Sequence, residues 1–192
     1  MVVVREHGDQ SMSSGGGSGG GGGGEAHVTG GPAVISQWTA HLAGQDTMEV
    51  GQALPPHSPY CAGCGPDNPS GLQLRAVRTV GGVEAVHSFT QAQVGAPGIA
   101  HGGAVALVFD DLFGFALYTV GSLAVTRSLT IEYRAPFRLH RPYRFDAHVA
   151  RREGRRLLLH ADAWDEEAQK VGSADATFVV VSPEHFVAGA QR

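Results

Sequence analysis

One segment constrains the fold more than any other: AHGGAVALVFDDLFGFALY, residues 100–118. Val105, Leu107, Val108, Phe109, Leu112, Phe113, Phe115, Ala116 and Leu117 leave an α-helix here with no polar face. A helix that is apolar on every side has to be covered. What flanks it in sequence is strand-like. GLQLRAVRT (71–79) and GVEAVHSFT (82–90) lie either side of Gly81–Gly82 as a hairpin. In LAVTRSLTIEY (123–133), Leu123, Val125, Leu129, Ile131 and Tyr133 alternate with Ala124, Thr126, Ser128, Thr130 and Glu132. That is the period of a half-buried strand, with Arg127 the one discordant member. YRFDAHVARR, a turn at Glu153–Gly154, RRLLLHADAW and KVGSADATFVVV complete the pattern. The order β-β-α-β-β-β-β predicts an α+β fold, an antiparallel sheet curled around one long helix.

The chain of 192 residues is long enough for one domain with a sizeable core. Fourteen Lys+Arg against 18 Asp+Glu give a net charge of -4, which argues against nucleic acid as the main partner. No run of about 18 apolar residues is present, so no membrane span is expected. MVVVREHGDQ is too short in apolar residues for a secretory signal, and the expected location is the cytoplasm. Residues 15–24 hold nine glycines in ten, a composition too poor in apolar surface to offset its ordering entropy. Residues 1–52 are therefore read as a disordered Gly-rich extension and linker, within which AVISQWTAHLAG forms a short helix. The domain runs from 53 to 182, and 183–192 is a C-terminal tail.

Cys61 and Cys64, the only cysteines, are spaced C-x-x-C in YCAGCGPDNPSGL. A structural zinc normally takes four ligands, and no second C-x-x-C is present. His57 plus another histidine would complete such a site. The preferred reading is a tight Gly-rich turn with two half-buried thiols, with no metal and no cofactor.

The central helix carries a contradiction: Asp110 and Asp111 sit in the middle of its apolar run. A buried carboxylate costs several kcal/mol unless it is paired. Neighbours on a helix point about 100° apart, so the two acids have different surroundings. At the helix start, His101-Gly102-Gly103 offers backbone that a ligand can approach closely. The N–H groups there lack intrahelical partners and carry the positive end of the helix dipole, the makings of an oxyanion hole. Eight residues separate Gly102 from Asp110, roughly 12 Å along a helix axis. An aspartate cannot reach across that distance to its own helix start. If both act on one carbon, the acid comes from a second copy of the chain, and a two-fold dimer with two equivalent sites follows.

With these residues in view, the sequence resembles the hotdog-fold thioesterases, in particular the phenylacetate-pathway (PaaI-like) branch and thioesterase-superfamily members. The resemblance covers about residues 58–181 and rests on CAGCGPDNPSGLQL, AHGGAVALVFDD and VTRSLTIEYRAPF. It implies a hotdog fold and hydrolysis of acyl-CoA without a metal, by homodimers or dimers of dimers. Carried over by position, the catalytic acid falls on Asp110 and the oxyanion amide on Gly102, with Gly103 beside it. The polar residue sixteen after the acid falls on Thr126, on the more polar face of its strand. His101 matches a histidine that shapes the loop and touches substrate in some relatives. The amide that positions water in others has no counterpart in VGAPGIA; the nearest are Gln91 and Gln93. Asp111 is expected to serve the interface or a hydrogen bond.

Two other readings stay open. A hotdog hydratase or dehydratase would use Asp110 together with His101 on an acyl chain. A non-catalytic acyl-CoA-binding protein would need neither Asp110 nor Thr126. The basic residues Arg151, Arg152, Arg155 and Arg156 at the hairpin tip are read as solvated; the alternative is that they, or Arg134, Arg138 and Arg141, meet the phosphates of coenzyme A.

Overall fold

The computed structural model describes residues 32–43 and 48–189. The glycine run lies outside them. Helix α1 (Pro32–Ala43) leads into β1 (Ala76–Arg78) and β2 (Val83–Ser88), followed by the ribbon β3 (Val94–Ala96) and β4 (Ile99–Ala100). Helix α2 (Gly102–Ala116) comes next, then β5 (Ala124–Tyr133), β6 (Pro142–Glu153), β7 (Arg156–Trp164), β8 (Lys170–Val180) and α3 (Glu184–Gly189). Six strands form one antiparallel sheet in the order β1-β2-β6-β7-β8-β5. The sheet packs around α2, the hotdog arrangement, and the two-stranded ribbon turns at Gly98 just ahead of the helix.

The core forms where the aromatic residues of α2 meet the inner face of the sheet. Phe109 packs edge-on against Phe145 at 5.3 Å between ring centroids, and Phe113 against Phe178 at 6.3 Å. Phe145 in turn stacks on Phe137. Burying each such ring contributes about 1.5–3 kcal/mol. Alternate residues of β6 and β7 (Tyr143, Phe145, Ala147; Leu157, Leu159, Ala161, Ala163) are buried, as period-two patterning requires.

Two expectations are corrected, for the first strand and for the cover of α2, and two others gain detail. The first strand begins at Ala76, because Leu72 and Leu74 donate backbone hydrogen bonds to Ala62 and Gly63 and so close the two-cysteine turn. Packing continues outside residues 53–182. Ile35 and Leu42 of α1 are buried, and Trp38 meets Phe186 of α3 at 5.9 Å. Gly102–Thr119 is long and apolar enough to cross a membrane, although most of it is buried in the domain. Finally, among the described residues α2 is not covered on every side. Gly103 is exposed and Ala106, Leu107 and Asp110 are half-exposed, an i, i+3/i+4, i+7 stripe along its N-terminal half.

Candidate active site and a second polar cluster

Two polar centres meet on α2. The first is Asp110, whose carboxylate accepts a hydrogen bond from the Thr126 hydroxyl at 2.9 Å. A bulge in β5 makes that contact. Thr126 pairs with Phe178 of β8 and Ser128 with Thr177, leaving Arg127 as the extra residue. Cross-strand partners share a face of the sheet. Before the bulge, Ala124 and Thr126 share the inner face with Val180 and Phe178; after it, Leu129 and Ile131 do so with Ala176 and Ala174. The discordant Arg127 thus marks a change of parity, and Thr126 lies on the helix-facing side, not on the polar face the alternation suggested. Re-aiming a side chain beside a functional site is a common use of such bulges.

The other expected residues stand at the helix start. His101 is the N-cap, and its Nδ1 accepts from the Gly103 N–H at 2.9 Å. The Gly103 amide and the His101 ring are therefore engaged with each other. Gly102 occupies the first helical position, where the N–H has no acceptor within the helix. The Tyr133 hydroxyl donates to its carbonyl at 2.8 Å, tying the far end of β5 to this turn. Gln93 is spent locally: its side-chain oxygen accepts from the backbone and hydroxyl of Thr90. Of the other cations considered, Arg134 pairs with Glu132, Arg141 with Glu166 and Arg151 with Glu153. Arg152 reaches the Ser122 hydroxyl and Arg155 the Val180 carbonyl.

Gly102 and Asp110 open into different cavities. One, of about 410 Å³, is lined by Gly102, Val105, Tyr133, Arg134 and Phe137 among others. The second, of about 360 Å³, is lined by Asp110, Thr126, Gly114, His57 and Cys61 among others. Within one chain the acid and the amide thus do not converge.

The second polar centre joins His57, Cys61 and Cys64, which the sequence set side by side, to Asp111, which it did not connect with them. Asp111 points away from Asp110 into the domain, where its Oδ1 lies 3.1 Å from His57 Nδ1 and accepts from Cys61 Sγ at 3.2 Å. Cys64 Sγ lies 3.3 Å from the same His57 nitrogen and accepts from the His57 backbone N–H at 3.3 Å. Only 12% of the His57 side chain and 6% of the Asp111 side chain are exposed, and Cys64 is fully buried. Burial opposes a charge on His57, but its hydrogen bonds to Asp111 and Cys61 outweigh it and hold the imidazole up to about 9. Burial pushes Asp111 upward against the pull of His57. Hydrogen bonding with Cys64 brings the Cys61 thiol down to about 3, while Cys64, bonded to Cys61 and buried, is pushed up. The signal for this centre was present in Asp111 itself, an acid in a buried helix, and in a histidine four residues before the first cysteine.

Comparison with known proteins agrees with the architecture. Residues 97–171 match the family model of the thioesterase superfamily. The acyl-coenzyme A thioesterase THEM4 of Rattus norvegicus is 28% identical over 91 residues, 47% of this chain and 39% of the relative. A solved thioesterase superfamily protein superposes with a TM-score of 0.61 at 25% identity, over 64% of this chain and 61% of its own. A hypothetical thioesterase from Streptococcus pneumoniae, solved with coenzyme A, gives 0.51 at 20% identity over 53% and 80%, a likeness of fold alone. That protein was also solved with an aspartate, and separately a threonine sixteen residues later, replaced by alanine. The chain spans under half the length of the curated relative and about three-fifths of the first of these structures. The helix-wrapping sheet is thus a hotdog fold, and residues 97–171 within it are similar to the thioesterase superfamily.

Proposed function

We propose that this protein hydrolyses acyl-CoA thioesters to the free acid and coenzyme A, with Asp110 as the catalytic carboxylate. The observation that carries the reading is the Asp110–Thr126 hydrogen bond at the wall of an open cavity, beside an uncovered stripe of the helix. The same sixteen-residue spacing separates the two residues replaced in the Streptococcus pneumoniae protein. Asp110 removes a proton from water as it attacks the thioester carbonyl, or attacks it directly to form a mixed anhydride that water then opens. Thr126 holds the carboxylate in place. The Gly102 N–H stabilises the oxyanion, and one such donor lowers the barrier by roughly 3 kcal/mol.

Because the amide and the acid of one chain face separate cavities, the reaction needs two chains. Pairing antiparallel copies of α2 covers the Gly103–Leu107–Asp110 stripe and sets each Asp110 beside the other copy's Gly102. The edge position of β5 lets the two sheets meet there as well.

The test is a panel of acyl-CoA substrates with free-thiol detection. Thiol release that Asp110→Asn abolishes supports the reading; absence of release from every chain length supports a non-catalytic binder. A second experiment addresses the shared site. Gly102→Pro deletes the N–H at a position where proline suits a helix, and His101, at φ -64° and ψ 133°, already has the conformation preferred before proline. Each variant alone is expected to be inactive. Mixed and reassembled in equal amounts, they regain about a quarter of wild-type activity, because half the dimers then carry one intact site. No recovery would show that acid and amide act within one chain.

A further inference from the structure

We propose that His57, Cys61, Cys64 and Asp111 form a zinc site, a structural centre that fastens the two-cysteine loop to α2 beside the reaction cavity. One donor atom from each of the four residues lies within 4.8 Å of every other. Zinc bonds of about 2.0–2.3 Å in tetrahedral array separate neighbouring donors by roughly 3.3–3.8 Å. The closest observed separations, 3.1, 3.2 and 3.3 Å, need to open by only a few tenths of an ångström. Two thiolates, an imidazole and a carboxylate suit zinc. Calcium and magnesium prefer oxygen, and an iron–sulfur cluster takes four thiolates where the chain has two cysteines.

The surrounding structure is arranged around the donors. The C-x-x-C loop is held by Gly65 N–H to Cys61 O at 3.0 Å, Leu72 N–H to Ala62 O and Leu74 N–H to Gly63 O at 2.9 Å, and the Arg75 guanidinium to Cys64 O at 2.9 Å. The His57 backbone N–H already donates to Cys64 Sγ. Both ligands outside the loop come close only over glycine. A Cβ on Gly63 would sit 2.2 Å from the Asp111 carboxyl carbon, and one on Gly114 would sit 2.6 Å from the His57 ring.

A second, independent observation is the Asp111 carboxylate, with 6% of its side chain exposed and Oδ2 buried without a partner among the described residues. A buried carboxylate oxygen without a partner is costly, and a metal ion at this position supplies one. On binding, the protons held by the thiols and by His57 Nδ1 leave to solvent, and zinc takes their place as the counter-charge. All four positions are filled by protein, so the ion is closed to substrate, and Asp110 on the next face of the helix keeps the chemistry.

The experiment uses the full chain, expressed and purified without chelator, with metal content read by mass spectrometry and Co²⁺ as a spectroscopic probe. About one zinc per chain is expected. The cobalt form should show a thiolate-to-metal charge-transfer band and the intense visible bands of tetrahedral coordination. Cys61→Ser and Cys64→Ser should each lower retained zinc at least about tenfold, while Asp110→Asn keeps it. Zinc-free protein that takes up no Zn²⁺ or Co²⁺, cobalt spectra lacking the thiolate band, or an intact mass two hydrogens light from a Cys61–Cys64 disulfide would each overturn the site. Should the cysteine variants fail to fold, the wild-type cobalt spectrum and its loss to a competing chelator decide. None of these readouts depends on thioesterase activity.

Discussion

Two consecutive aspartates on one helix have opposite fates. Asp110 is half-exposed, bonded to one hydroxyl and open to a cavity; Asp111, a residue later, is buried against an imidazole and a thiol. About 100° of helical rotation separates them. On the Asp110 side, among the described residues, α2 is partly uncovered and the edge strand β5 is near it. On the Asp111 side the loop before β1 and helix α1 cover it. A carboxylate that must act on a substrate needs the first environment, and one that holds the fold together needs the second.

The sharpest break in this comparison comes from replacing each acid separately. Asp110→Asn should lower kcat/KM for acyl-CoA about 10²- to 10⁴-fold, which is about 3–5 kcal/mol of barrier. Its unfolding midpoint should stay within about 0.5 kcal/mol of wild type, since a half-exposed, singly bonded group contributes little. Asp111→Ala should reverse the pattern and cost about 3–5 kcal/mol of stability, because it strands His57 and Cys61 in a buried pocket. Denaturant titration alongside the thiol-release assay checks both. A stable but inactive Asp111→Ala together with an active Asp110→Asn would exchange the two roles.

How far these roles were legible in sequence follows from the range of the contacts. The apolar run of α2 and the alternation of β5 to β8 are local patterns, and they were enough for the sheet-around-helix architecture. The Asp110–Thr126 pair was reached through family spacing, but with Thr126 on the wrong face. The break of alternation at Arg127 was visible, yet a bulge and a merely tolerated arginine look alike without the partner strand. The partners of Asp111 lie 50 and 54 residues away along the chain. No periodicity carries that pairing. A second cysteine pair or a second histidine is what a C-x-x-C calls for locally; the aspartate that closes this cluster sits inside another motif.

A histidine pair extends the comparison to groups buried with and without partners. His57 has its acid; His87 packs edge-on against Phe89 at 4.9 Å, and its Nε2 is buried without a hydrogen bond among the described residues. Burial alone lowers its pKa to about 4. The folded state thus excludes a proton that the unfolded chain binds below about 6.5. Stability from this group is present above pH 6.5 and lost as pH falls toward 4, by up to about 2–3 kcal/mol. His87→Gln should flatten that part of the stability–pH curve. Wild-type and variant curves that run parallel from pH 7 to 4 would locate the acid sensitivity elsewhere.

The smallest effect isolates what the bulge contributes. Thr126→Val keeps the side-chain shape and the β-propensity but removes the hydroxyl that holds Asp110. About a tenfold fall in kcat, near 1.4 kcal/mol, is expected from loss of one hydrogen bond to a carboxylate. Thr126→Ser, which restores the donor, should recover most of it. Ser128 is the control: it lies beyond the bulge, paired with Thr177 on the outer face, so Ser128→Ala should leave kcat unchanged. If Ser128→Ala and Thr126→Val fall together, β5 affects catalysis through its general placement. If only Thr126 responds, the extra residue at Arg127 has turned a solvent-facing threonine position toward the acid.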